Sequence, residues 1–129
     1  MAAERKINGN LYRSDMLPAE QGLELFLRVT KVFKAAPELM GALAAGKSDQ
    51  DAPGRFMALV FSDDLDRQET GELLKDLVRT CQYKAPSAGY EECIIGIRPE
   101  KLAEVVKVAW FAMEVQFKDF LSESLELKA

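Results

Sequence analysis

The stretch PEKLAEVVKVAWFAMEVQFKDFL, residues 99–121, decides the fold class. Pro99 suits a first helical turn, where its missing N–H has no partner to lose, and Glu100 beside it favours the positive end of the helix dipole. At about 100° per residue, Glu100, Glu104, Lys107, Glu114 and Lys118 fall on one polar stripe, while Leu102, Val105, Val106, Ala109, Trp110, Met113, Phe117 and Phe120 face a core. This spacing predicts one long helix to about Leu121, with 122–129 as a frayed tail. Phe111 breaks the pattern by falling inside the polar stripe. A large aromatic on a charged face, ringed here by Lys107, Glu114 and Lys118, marks a partner site unless the N-terminal strands or the 46–54 loop cover it.

Upstream, Pro18 and Glu20 open a second helix. Its polar residues Glu20, Glu24, Arg28 and Lys31 form a narrow stripe, and Leu23, Leu25, Phe26, Leu27, Val29, Val32 and Phe33 cover the rest. So wide an apolar arc implies burial on more than one side. Pro37 is expected to kink or restart this helix near Ala36, and GKSDQDAPG at 46–54 to form a mobile loop. The run FMALVF at 56–61 is short enough to suit strand or helix, and is assigned to helix. Asp66 and Glu69 have capping-box spacing, after which Leu73, Leu74, Leu77, Val78 and Cys81 repeat along one helical face. Asn8-Gly9-Asn10 between Ile7 and Leu11-Tyr12 signals a short strand or hairpin, and Cys93 to Ile97 a short strand that pairs near Ile7. The expectation is a single mainly α domain over 1–129, with one or two short β-strands.

Composition narrows function further. With 48% hydrophobic and 29% charged residues the chain reads as an ordinary folded globule rather than a disordered one. The absence of histidine removes the commonest acid/base group, the usual triads and most zinc sites. A formal charge of −4 argues against nucleic acid as a partner, because phosphate binding needs a basic stripe. The N-terminal ten residues lack an apolar run, and Val108 to Met113 is far short of the roughly 20 apolar residues of a membrane span, so cytoplasmic residence without membrane association is expected. Cys81 and Cys93 lack Cys-x-x-Cys spacing and read as packed, reduced thiols.

Among motifs, GALAAGKS at Gly41 to Ser48 satisfies the P-loop expression, and an apolar run followed by Asp63 and Asp64 lies downstream. A working P-loop follows a strand and opens a helix, whereas these residues are helix formers before a polar loop, so Gly46-Lys47 reads as a helix C-cap. Asp49-x-Asp51 begins like a calcium loop but has Pro53 at a ligand position and Val60 where the bidentate Glu belongs. Asp63, Asp64 and Asp66 read as helix-start acids, and no nucleophile has an identifiable base. No cofactor, metal or catalytic residue is proposed. A nucleotide-binding protein built on Gly41 to Ser48, or an unrelated helical adaptor, remains the alternative.

The order Ile7, Gly9, Tyr12, then Leu17-Pro18-Ala19, then Gly22-Leu23-x-Leu25-x-x-Arg28-Val29-x-Lys31-Val32-Phe33 and Ala36-Pro37-x-Leu39 resembles the tail assembly chaperones of long-tailed bacteriophages. Val115-Gln116-Phe117-Lys118-Asp119-Phe120 is similar to that group's aromatic helix end, with Gln116 where Asn is usual and Leu121 in place of a second Phe. The resemblance implies a non-catalytic protein of a phage-infected or prophage-carrying bacterium, acting in the host cytoplasm and not retained in the mature virion. It also implies two partners: the tape-measure protein, which is kept soluble, and the tail-tube protein, whose recruitment is assisted. Self-association is compatible with it. The partner surface is expected at Phe111 with Lys107, Glu114 and Lys118, and otherwise at Phe117, Phe120 and Leu121.

Overall fold

The computed structural model describes residues 3–34, 38, 41, 43, 52–60, 62, 65–85 and 89–128. Asn8 and Gly9 both take positive φ, 51° and 83°, the conformation of a two-residue hairpin turn, and they join β1 (Ala3–Ile7) to β2 (Asn10–Ser14). After an extended linker come α1 (Ala19–Phe33), α2 (Ala52–Val60) and α3 (Arg67–Arg79). Two further strands, β3 (Cys81–Lys84) and β4 (Tyr90–Glu92), precede the long α4 (Leu102–Lys128). The strands form one antiparallel sheet in the order β1-β2-β3-β4, with Tyr12 opposite Tyr83 and Gln82 opposite Glu92.

The mainly α expectation holds, but the strand content exceeds it: four strands among the described residues rather than one or two. Cys81 does not continue α3. Thr80 ends that helix by donating its N–H to the Leu77 carbonyl, 3.1 Å, and Cys81 enters the sheet beside Ser14. The strand expected at Cys93 to Ile97 lies earlier, at Tyr90–Glu92, and pairs with β3 rather than near Ile7. Gly96, at φ 102°, lets the chain turn back instead: Ile94 bridges Arg98, and Ile97 N–H donates to the Ile94 carbonyl at 2.9 Å. Pro99 lies ahead of α4, which begins at Leu102 and continues past Leu121 to Lys128, so the backbone expected to fray is helical. Asp66 does cap α3, its Oδ1 accepting from Glu69 N–H at 2.9 Å. Phe56 lies in helix as expected, but that helix takes in Ala52 to Gly54, the end of the expected mobile loop. Positions 35–37, 46–51 and 61, with the expected kink and most of that loop, are outside the described residues.

The core forms around α4, which has the sheet on one side and α2 and α3 on the other, while α1 packs on α3. Trp110 meets Phe56 of α2 with ring centroids 5.4 Å apart, and Val106, Ala109 and Met113 are fully buried. On the other side the hairpin covers the stripe that looked solvent-facing. Glu104, on that stripe, is buried and accepts from Asn10 Nδ2 at 3.0 Å and from the Tyr12 hydroxyl. Burial, and then this bond to a carboxylate, hold the Tyr12 phenol well above its ordinary pKa. α4 is therefore enclosed on most sides between Glu104 and Met113, because the sheet supplies a polar partner for each charge it covers.

Candidate functional site

The proposed Phe111 site is not a surface. Phe111 is 1% exposed, lying under the Arg5 guanidinium at 4.9 Å from the ring centroid. Arg5 also clamps Glu114 with two bonds of 3.0 and 2.7 Å. Lys107 is exposed, its Nζ 3.5 Å from Asn8 Oδ1, and Lys118 is half-buried. Phe111 and Glu114 thus belong to the joint between helix and sheet. The anchor expected there is corrected by a physical cause: β1 lies across that face of α4 and brings Arg5 with it.

The second expected group fares differently. Phe117 is buried and Phe120 is 51% exposed, and both meet Phe26 of α1, with ring centroids at 5.3 and 5.2 Å. The Leu121 side chain is outside the described residues. Between α1 and this part of α4 runs an open apolar groove of about 260 Å³. Phe26, Phe117 and Phe120 are its aromatic lining, and Leu23 and Met16, 60% and 54% exposed, line it as well. Leu27, one turn beyond Leu23, is 59% exposed. The wide apolar arc of α1 is thus not buried on more than one side. Leu25, Val29 and Val32 reach the core, and Leu23 and Leu27 do not.

Gln116 shapes the groove's floor. It is buried; its Oε1 accepts from Leu17 N–H at 2.9 Å and its Nε2 donates to the Asp15 carbonyl at 2.7 Å. These two bonds tie the β2–α1 linker to α4 and set Met16 and Leu17 beside Phe117. Sequence reasoning placed Gln116 only as a variant within the aromatic helix end, and missed Met16, Leu23 and Phe26 as site residues. The available signal was the surplus of leucine on α1, more than one core face needs.

Elsewhere, burial pushes the Cys93 thiol up to about 12 and raises Cys81 as well, so both behave as packed apolar groups. Glu38, Gly41 and Leu43 have helical backbone, and Leu43 is fully buried, unlike the strand-to-loop entry of a phosphate-binding turn; 44–48 lie outside the described residues. Among the described residues no helix is long and apolar enough to cross a membrane.

Residues 8–127 match a family model described as phage tail assembly chaperone protein, TAC. No curated protein and no solved structure matches the chain.

Proposed function

Because the chain belongs to the phage tail assembly chaperone family, we propose that it binds and shields the tape-measure protein in the bacterial cytoplasm and helps recruit tail-tube subunits, without catalysing a reaction. The observation that carries this reading is the groove between α1 and α4, where Leu23, Phe26, Phe117 and Phe120 present a continuous apolar surface. Most exposed apolar residues are scattered singly; a contiguous, concave group of this kind suits recognition of another chain's apolar side chains. A tape-measure protein offers long amphipathic helices that aggregate when unshielded. A small domain with an apolar groove of this kind can cover them and later let go, since few anchors carry the binding.

Co-expression with the tape-measure protein of the same tail-gene cluster tests the reading. The wild-type chain should keep that protein soluble and co-purify with it, and Leu23→Ser or Phe120→Ser should weaken both effects while leaving the chaperone's own melting curve nearly unchanged. Co-purification indifferent to both substitutions would move binding away from the groove. Failure of the wild-type chain to co-purify would reject the tape-measure protein as partner.

A further inference from the structure

The groove's walls restrict what fills it. Both are helices, whose backbone groups beyond the uncapped first turn of α1 are bonded along their own axes, and three polar groups of the adjoining linker are occupied. Leu17 N–H and the Asp15 carbonyl are held by Gln116, and Met16 N–H donates to Asp15 Oδ1 at 2.9 Å. An extended peptide laid there meets no ladder of donors and acceptors, and its own amides lose water without replacement. A helix arrives with its backbone already paired. The scale agrees, since from Ala19 to Phe26 α1 rises roughly 10 Å, two turns, the span of apolar side chains at i, i+3 or i+4, and i+7.

Charge narrows the occupant further. Next to Leu23 and Leu27 around α1 stand Glu20 and Glu24, both exposed and neither in an ion pair among the described residues. The cations farther along the helix are compensated: Arg28 by Asp76 at 2.6 Å and Lys31 by Glu69 at 2.9 Å. The α1 surface beside Leu23 and Leu27 therefore carries the charge of Glu20 and Glu24 with no side-chain cation against it, that of Glu20, in the first turn, being offset in part by the positive end of the helix dipole. We propose that the groove takes an amphipathic α-helix of two to three turns whose apolar stripe is bordered, on the side that meets α1, by Lys or Arg. This rests on the groove being the surface that engages tail proteins, and specifies the chemistry of the segment it selects.

Three labelled peptides of about 15 residues, long enough to populate a helix, share one leucine stripe at helical spacing. One is bordered by Lys, one by Glu, and one is the Lys peptide with a central proline. Each is titrated into the full chain by fluorescence anisotropy. The Lys peptide should bind at least about tenfold more tightly than the Glu peptide at low salt, with the gap closing at about 0.5 M salt. Glu20→Gln/Glu24→Gln should erase the preference and Glu20→Lys/Glu24→Lys reverse it, with unchanged circular dichroism. The proline peptide should bind far more weakly than its parent. Equal affinity for the Lys and Glu peptides, an unmoved preference in the charge variants, or undiminished binding of the proline peptide each overturns the inference. If Leu23→Ser abolishes tape-measure co-purification while the peptides bind without charge preference, the groove stands and only its selectivity falls. If that substitution leaves co-purification intact, the groove reading itself is lost.

Discussion

Phe111 and Phe120 share one helix, are the same residue, and were both candidates for contact with a partner. One is sealed and the other half-open, 1% against 51% exposed. The helix does not decide this, because Lys107, Glu114 and Lys118 surround Phe111 in sequence as a solvated face would. What decides it is which element lies opposite. The hairpin brings Arg5, Asn10 and Tyr12 over the Phe111 side, each with a hydrogen bond for a carboxylate of α4, so a charged stripe becomes an interior surface. At the Phe120 end α1 approaches without closing, and the linker is fastened to Gln116 in a way that leaves the groove between them. Charge on a helix face thus marks solvent only when no neighbouring strand can answer it.

The strongest way to break this contrast is Phe111→Ala. A buried aromatic of this kind should cost roughly 3–5 kcal/mol, visible as a lower urea midpoint at unchanged slope. A wild-type midpoint would mean that the hairpin sits loosely. Tyr12→Phe should come next, at about 1–3 kcal/mol, since Glu104 keeps Asn10 but loses the hydroxyl in a buried setting. It also carries a pH signature. The folded phenol resists ionisation, whereas the unfolded one titrates near 10.0. Its contribution is therefore fully present below that pH and lost as pH rises above it. Melting temperature followed from pH 8 to about 11 should fall less steeply in Tyr12→Phe than in wild type; parallel curves would place the alkaline loss elsewhere, with Cys93 the next group to test.

Gln116→Leu should have a smaller effect, about 1–2 kcal/mol for two bonds to a partly solvated linker, but a larger one on groove binding than on stability. Amide exchange at Leu17 is the direct check, because that N–H should lose protection while the Trp110 region keeps it. Least disruptive of all is Leu23→Ser, expected within about 0.5 kcal/mol of wild type. Its near-silent melting curve, set beside weakened tape-measure binding, is the sharpest form of the contrast with Phe111→Ala.

Much of the fold was legible where signals were local. Asn8-Gly9 specified the first hairpin, Asp66 the start of α3, and the apolar repeat around Trp110 the core helix. The rest depended on partners distant in sequence. Nothing near Glu104 announces that Tyr12 will cover it, and a four-residue strand such as Cys81–Lys84 is too short to show its period against the helix that feeds it. The site was half legible for the same reason. The aromatic end of α4 could be singled out, but which of its residues stays open depends on α1, where the leucine surplus suggests deeper burial and Leu23 and Leu27 are instead exposed.

The pairing of Tyr12 with Glu104 joins positions 92 residues apart, and it has a consequence for synthesis. At about 5–20 residues per second, the ribosome finishes the hairpin some 5–20 seconds before the segment that will cover it exists. During that interval the inner side of the hairpin, with Tyr12 and Ile7, has neither β3 nor α4 to rest on, and an isolated two-stranded hairpin is marginal in water. The domain is thus completed as a late, cooperative event rather than built up strand by strand, and a chain that stalls before α4 emerges exposes the very surfaces that its finished form would be made to shield in others.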